Sequence, residues 1–476
     1  MSQSSDQALS IGRRFARWAA RLKYEDLPHD VVDKVKALML HALTSAGVGA
    51  SNPHVKEAVR LAKAEEGRPD GATILGDGGK ASRIGAAFAN NEIIHASGLV
   101  DSYRMRTHPG SVLIPVALAN AELEKKNGKD IITALAAGYE FTCRLSHDFT
   151  LTVAARGFQP SSVFCTMGAA MVTGKLLGLD EEGLMRTISL AANYASGLVE
   201  TSWQGDRQAA RSGVFAGLMA RTGHLRAAER SLDGDAGFYH AFTGSTTGKL
   251  TYAFTGPLQI DPASITADLG THYELLSVMF RMYGIGAYND PVIYLLREMR
   301  QQYKLHPDEV AEVAVALNWH ETLYPSAAFP SEPDWNRPRP GSTHYYAAHV
   351  LVNGDYPVVG GKTFGPTGRK LTEDKKVLDF MNGHVTLVQE KDRPMFSPGV
   401  VVTMKNGATY TGEYPYTRLE WNFEQLVTRL QDCVPGYSLG KAGFDALVET
   451  VRGADRLTSV DGIFQVTEKG QVLPFA

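Results

Sequence analysis

Between His95 and His108 the chain sets two histidines, one aspartate, two serines, a tyrosine and two arginines within fourteen residues, HASGLVDSYRMRTH, and an apolar, helix-like run (PGSVLIPVAL) follows at once. An imidazole takes up and returns protons near neutrality. A guanidinium binds a carboxylate through two parallel N–H donors. Such groups just ahead of a buried element suit a site that binds a small acid and moves a proton. His108 is the candidate general acid/base, and Pro109-Gly110 behind it set it at a loop–helix junction. Ser102 is a candidate donor to a substrate carboxylate or hydroxyl, and Arg104 and Arg106 are candidate carboxylate clamps. Asp101 reads as a residue that orients a neighbour or caps a turn.

The composition narrows the chemistry. The chain has 476 residues, 44% hydrophobic and 21% charged, with a net charge of −3. It can bury a large core and divide into two or more domains. No Lys/Arg block is present, so no nucleic-acid or membrane partner is expected. Three widely spaced cysteines, Cys143, Cys165 and Cys433, offer no zinc or iron–sulfur spacing and no disulfide framework. With no apolar signal core in MSQSSDQALSIGRRF, a cytoplasmic location is expected. The apolar run 163–174 ends at Lys175, too short to span a bilayer.

Three motif fragments fall short. GSTTGKL at 244–250 has three residues between its glycines and Leu250 where a phosphate loop needs Ser or Thr. GIG at 284–286 lacks the third glycine of a dinucleotide fingerprint. His320-Glu321 begins a zinc-protease motif that Tyr324 breaks. The expectation is no cofactor and no metal: either cofactor-free acid/base chemistry or no chemistry.

The first half reads as helices. Ile11, Phe15, Trp18 and Leu22 share one face, as do Val31, Val35, Leu38 and Ala42, and similar patterns run over 82–98, 111–125, 129–147, 161–177 and 180–198. Runs such as GAAMVTGKLLG predict helices packed closely through small residues. Residues 257–266 and 325–343 read as loops, and 287–302 as a helix. Residues 310–317, 383–390 and 398–404 read as strands, with a turn at Asn406-Gly407. Helical patterns return from Glu420. The predicted fold class is mainly α with an inserted α+β domain: a helical domain of residues 1–264 completed by 413–476, and a smaller domain at 265–412.

The stretch Asn91, His95, Ala96, Asp101, Ser102, His108-Pro109-Gly110 resembles the MmgE/PrpD family pattern N-x-x-x-H-A-x-D-x-D-D-[TS] followed by H-P-[GS]. Collinear matches are ATILGDGGKAS with AAFANN at 72–91, GFQPSSVFCTMGAA at 157–170, AARSGVFAGLMARTG at 209–223, DGDAGFYHAF at 233–242 and FRMYGIGAYNDPV at 280–292. The resemblance implies a homodimer of helical domains with α+β lids and an active site between domain and lid. It also implies a cofactor-independent lyase or isomerase/epimerase that abstracts a proton next to a carboxylate, carbonyl or imine of a small (poly)carboxylic acid. The family includes 2-methylcitrate dehydratase, cis-aconitate decarboxylase and iminodisuccinate epimerase.

Several family positions differ. Gly98 stands where the family's lyases carry an aspartate, Gln159 where they carry a histidine, and Asp290 where a late histidine precedes proline. Gln159 can hydrogen-bond a substrate, and Asp290 can supply a carboxylate base. Arg281 and Tyr288, on the same short segment as Asp290, are substrate-binding candidates. Arg207 stands in for the family's lysine as a fixed positive charge, with Trp203 beside it to close the pocket. These departures tilt the reading away from the best-known family reactions, towards an unusual substrate or an isomerase-type outcome. Decarboxylation stays open, as does a catalytically inactive member that binds a metabolite or a protein.

Overall fold

The computed structural model describes residues 9–244, 262–322, 335–356, 364–365, 368–369 and 374–468. The chain divides into two compact units, 1–280 with 422–476, and 281–421. The fold is mainly α with a smaller α/β part.

The first unit opens with helices α1 (Ile11–Arg21), α2 (His29–Gly49) and α3 (Pro53–Glu66), then the short antiparallel pair β1 (Gly67–Thr73) and β2 (Lys80–Ala81). Helix α4 (Arg83–His95) leads into β3 (Asp101–Ser102). Helices α5 (Gly110–Leu123), α6 (Gly128–Ser146), α7 (Thr150–Ala155), α8 (Pro160–Leu176), α9 (Glu181–Tyr194), α10 (Ser202–Arg221) and α11 (Phe238–Thr243) follow. Strand β4 (Met279–Phe280) comes last before the chain leaves for the second unit.

Helix α8 is buried along nearly its whole length. Its glycines explain how. A Cβ on Gly168 would lie 2.9 Å from the Gly138 carbonyl oxygen of α6, and one on Gly213 of α10 would lie 2.7 Å from the Ala170 nitrogen. The small residues of the GAAMVTGKLLG run are therefore where three helix backbones meet. Helix α10 itself was not anticipated from periodicity, because the glycines that let it approach α8 also dilute its apolar stripe.

The second unit contains α12 (Asn289–Tyr303), β5 (Val310–Asn318), α13 (Trp319–Thr322), α14 (Thr343–Asn353), the small pair β6 (Phe364–Gly365) and β7 (Gly368–Arg369), α15 (Lys375–His384), β8 (Val385–Glu390), β9 (Gly399–Met404) and β10 (Thr409–Glu413). Its larger sheet has the order β10-β9-β5-β8. Strand β5 runs parallel to β8 and antiparallel to β9. A parallel pair needs a long crossover, and the chain from α13 to α15 supplies it. The β9–β10 hairpin turns where the sequence places it: Gly407 has φ +84, and Asn406 Oδ1 accepts from the Ala408 nitrogen at 3.0 Å. The strand expected at 383–390 begins at Val385, because residues 383–384 end α15. The loop expected at 325–343 ends where α14 begins, and its residues 325–334 lie outside the described residues, as do 257–261. Helices α16 (Phe423–Leu430), α17 (Gly440–Arg452) and α18 (Asp461–Glu468) return to the first unit.

The division falls at 281 and 421, against 265 and 412 read from the sequence. One buried ion pair shows why the earlier boundary moves. Arg144 of α6 pairs with Glu140 and donates to the carbonyls of Ile265 (3.0 Å), Ala267 (2.6 Å) and His272 (2.8 Å). Glu140 in turn accepts from the Leu275 nitrogen at 3.1 Å. The segment 265–275 has few elements of its own, and this pair ties it to the helical unit. Burial raises the Glu140 carboxyl, and Arg144 opposes that rise. Replacing Arg144 by Met leaves a buried carboxylate and three carbonyls without their donor. We expect a loss of about 3–5 kcal/mol in urea unfolding; a change within about 0.5 kcal/mol contradicts this account of the boundary.

Candidate active site

Strand β3 pairs antiparallel with β4, Asp101 opposite Phe280 and Ser102 opposite Met279. Beyond it the chain folds back in a tight hairpin. Tyr103 N donates to Thr107 O at 2.7 Å and Thr107 N to Tyr103 O at 3.1 Å. At the tip, Arg104 (φ 47) and Met105 (φ 72) are both left-handed, a conformation that costs a side-chain-bearing residue about 1–2 kcal/mol. Two contacts hold it: Arg106 N donates to Arg104 O at 2.9 Å, and Ser102 Oγ donates to Met105 O at 3.3 Å. Ser102 is buried, so its hydroxyl shapes the hairpin.

His108 follows the hairpin and is half-buried. Ser161, at the start of α8, fastens it: Ser161 Oγ accepts from His108 N at 2.9 Å and donates to Arg106 O at 2.9 Å. The His108 ring bonds through Nδ1 to the Asp101 carbonyl at 2.8 Å. A carbonyl only accepts, so Nδ1 carries the proton, and the neutral ring keeps its basic lone pair on Nε2.

The Asp101 carboxylate has a second task. It accepts from Gly110 N at 2.8 Å and 3.1 Å, and from the Tyr139 hydroxyl at 2.8 Å. Gly110 opens α5, so this buried carboxylate satisfies one of the donors exposed at a helix start. Burial, reinforced by Asp101, pushes the Tyr139 phenol well up and keeps it a donor.

Gln159 stands at the N-cap of α8, and its backbone nitrogen donates to Gly197 O at 3.0 Å. Its side chain is buried, and its Oε1 has no hydrogen-bond partner among the described residues. Arg106 is buried, whereas Arg104 is half-buried, with Nη2 on His147 Nε2 at the end of α6. Hydrogen bonds thus join Ser102, Arg104, Arg106 and His108 in one hairpin, and Ser161 ties that hairpin to the helix that Gln159 caps.

The remaining candidates are placed otherwise. Arg207 of α10 pairs with Glu92 of α4, Nε to Oε1 at 2.5 Å. Its charge is balanced within the helical unit, whereas the sequence suggested a fixed cation for a substrate. Burial raises the Glu92 carboxyl and Arg207 opposes the rise. The Trp203 side chain lies outside the described residues. Asp290, Arg281 and Tyr288 belong to the second unit. Asp290 is fully buried and accepts from Met282 N at 2.8 Å; Arg281 donates to Ile285 O. Tyr288 is buried at the start of α12, close enough to Gly286 that a Cβ there would lie 2.9 Å from its ring. All three shape the turn 281–290. Gly98 has φ +75 in the turn after α4, a conformation in which an aspartate would be strained.

Sequence reasoning missed Ser161, Tyr139 and His147. Ser161 had a visible signal, the Pro-Ser pair that opens α8. Tyr139 and His147 carry none, because each acts only through the fold of α6. Among the described residues, no group of three His, Cys, Asp or Glu side chains is arranged to hold a metal ion, and no helix is long and apolar enough to cross a membrane.

Comparison with known proteins gives one consistent result. The family profile described as the MmgE/PrpD N-terminal domain matches residues 13–251. A cis-aconitate decarboxylase-like protein of Aspergillus oryzae is 26% identical over 321 residues, 63% of this chain and 63% of its own length. Cis-aconitate decarboxylase of Aspergillus terreus is 26% identical over 309 residues, 61% of this chain and 60% of its own. The human cis-aconitate decarboxylase is 28% identical over 241 residues, 48% and 50% of the two chains. The chain thus spans less than two thirds of the length of the curated relatives it matches.

The dual use of Asp101 is open to test. Tyr139→Phe deletes one donor to a buried carboxylate, and we expect a loss of about 1–3 kcal/mol in urea unfolding. An unchanged midpoint would mean that Tyr139 does not hold Asp101.

Proposed function

The chain belongs to the MmgE/PrpD family, and on that premise we propose that it is a cofactor-independent lyase that acts on a small polycarboxylic acid, with His108 as the group that moves the proton. The observation that carries the proposal is the Nδ1 bond of His108 to the Asp101 carbonyl. It sets the tautomer in which Nε2 is the basic nitrogen, and the hairpin and Ser161 hold the ring in place.

The cis-aconitate decarboxylase relatives favour decarboxylation. In that reaction the bond between the acid's carbon framework and one carboxylate breaks and carbon dioxide leaves. The electron pair passes into the conjugated acid, and the resulting carbanion takes a proton from Nε2 of a His108 ring that has first picked one up from solvent; the ring returns to its neutral Nδ1–H form. Elimination of water would run the first proton the other way: Nε2 takes it from the carbon next to a carboxylate and hands it to the β-hydroxyl, which leaves as water. An epimerase would keep the abstracted proton on Nε2 while the planar intermediate takes another from water on the opposite face. In each case Arg104 binds a substrate carboxylate and steadies the enolate-like charge, where a preorganised cation acts most strongly. The orphan Oε1 of Gln159 accepts from a substrate hydroxyl or carboxylic acid. Arg106 and Ser102 keep the hairpin in shape. We assign no chemical step to Arg207, Asp290, Arg281 or Tyr288. A homodimer in the cytoplasm remains part of the proposal.

Gly98 and Gln159 also favour a second reading, a family member that binds an acid without turning it over. NMR of cis-aconitate and hydroxy-polycarboxylates with the full chain in deuterated water separates the readings. We expect carbon dioxide release, water elimination or deuterium incorporation with the wild-type protein. His108→Ala should lower the rate by about 10²–10⁴-fold, the usual contribution of one acid/base group. Binding without turnover or exchange supports the second reading, and full activity in His108→Ala rules out the role given to His108.

A further inference from the structure

The hairpin tip contacts a cluster of titratable groups that the chemistry above does not use. Arg104 Nη2 donates to His147 Nε2. An arginine has no acceptor, so Nε2 receives and the ring is neutral, with its proton on Nδ1. Nδ1 faces Asp148 Oδ1 at 2.8 Å, which fixes that tautomer. Glu274 Oε1 lies 3.7 Å from the same His147 Nε2 and 3.3 Å from His272 Nε2. Glu274 Oε2 accepts from the Tyr103 hydroxyl at 2.7 Å. Five charged or titratable groups therefore surround His147: Arg104 and Tyr103 from the hairpin, Asp148 at Nδ1, Glu274 near Nε2, and His272 next to Glu274.

We propose that His147 is a positioning residue that latches the 103–107 hairpin, so that its protonation state sets where Arg104 stands. The inference rests on the reading that Arg104 and His108 serve a carboxylate site. Neutral His147 accepts from Arg104 and holds the tip. Protonated His147 carries a hydrogen on Nε2, so it can no longer accept, and it adds a positive charge beside the guanidinium. Glu274 Oε1 is the acceptor within reach, and a small ring movement exchanges Arg104 for Glu274 as partner. The hairpin has reason to respond, because Arg104 and Met105 hold left-handed conformations that become more costly to keep once a contact at the tip is lost. The His147 side chain is 33% exposed, so the proton has access.

The test uses the full chain with cis-aconitate as probe substrate, in wild type, His147→Gln and His147→Leu. Glutamine keeps an acceptor but does not titrate; leucine keeps neither property. As pH falls and His147 takes up its proton, wild-type KM should rise by about tenfold, the effect of losing one charge-assisted hydrogen bond. The acid rise should be about tenfold smaller in His147→Gln, which still carries His108, and KM should be high at every pH in His147→Leu, while kcat at a given pH changes little among the three. Amide shifts of Tyr103 to Thr107 in ¹⁵N–¹H spectra should follow the His147 titration in wild type and not in His147→Gln. The same acid rise of KM in His147→Gln, or hairpin amides indifferent to the titration, overturns the latch. If cis-aconitate is not turned over, the lyase reading loses its support, and the hairpin amides alone decide the latch.

Discussion

The candidate site depends on a single buried aspartate used at both ends. The Asp101 carbonyl accepts the His108 Nδ1 proton, and its carboxylate accepts from Gly110 and Tyr139. The two jobs are coupled by geometry. The carboxylate fixes the start of α5 with respect to β3, and His108 lies between those two elements, so the ring has little freedom once both bonds form. Carbonyl and carboxylate belong to the same residue, so a shift that weakens the cap also moves the acceptor that sets the tautomer. Tyr139, raised by burial into a permanent donor, supports this arrangement from α6.

Around this aspartate the rest of the unit acts as scaffolding. Glycine contacts bring α6, α8 and α10 to backbone distance, and α8 presents Ser161 and Gln159 at its start. The pair Arg144–Glu140 ties the segment 265–275 to α6. The chain then reaches β4, the strand that pairs with Asp101 and Ser102. The hairpin between β3 and His108 carries backbone strain at Arg104 and Met105, and it persists because Ser102, Ser161 and His147 each bond to it. Strained backbone held by surrounding contacts is characteristic of sites that must keep side chains in unfavourable places.

Much of this was legible in the residues. Helices with a clean apolar stripe, such as α1 and α2, and the Asn-Gly turn of β9–β10 follow from period and turn chemistry. Helix α10 did not, since its glycines serve packing against α8 and leave a weak stripe. The boundary at 281 was hidden because contacts distant in sequence, Arg144 with 265–272 and β3 with β4, hold this segment to the helical unit. Within the candidate site, His108 stands out in the sequence by residue type, by its place before Pro-Gly and by the family resemblance, and the fold supplies the Asp101 carbonyl for its ring. The hydroxyl of Ser102 has a backbone partner, and Arg207 has Glu92, and neither pairing is visible without the fold. Residue type tells what a side chain can do, but the neighbours that engage it come from distant parts of the chain.

The central claim is that Asp101 presents His108 as a base at Nε2. Long-range ¹H–¹⁵N NMR of the protein labelled at histidine nitrogens, recorded above the pH at which the ring is protonated, tests it directly. The account predicts that His108 is in the Nδ1–H tautomer. A His108 ring protonated at Nε2, or one that exchanges freely between tautomers in the wild-type protein, would contradict it.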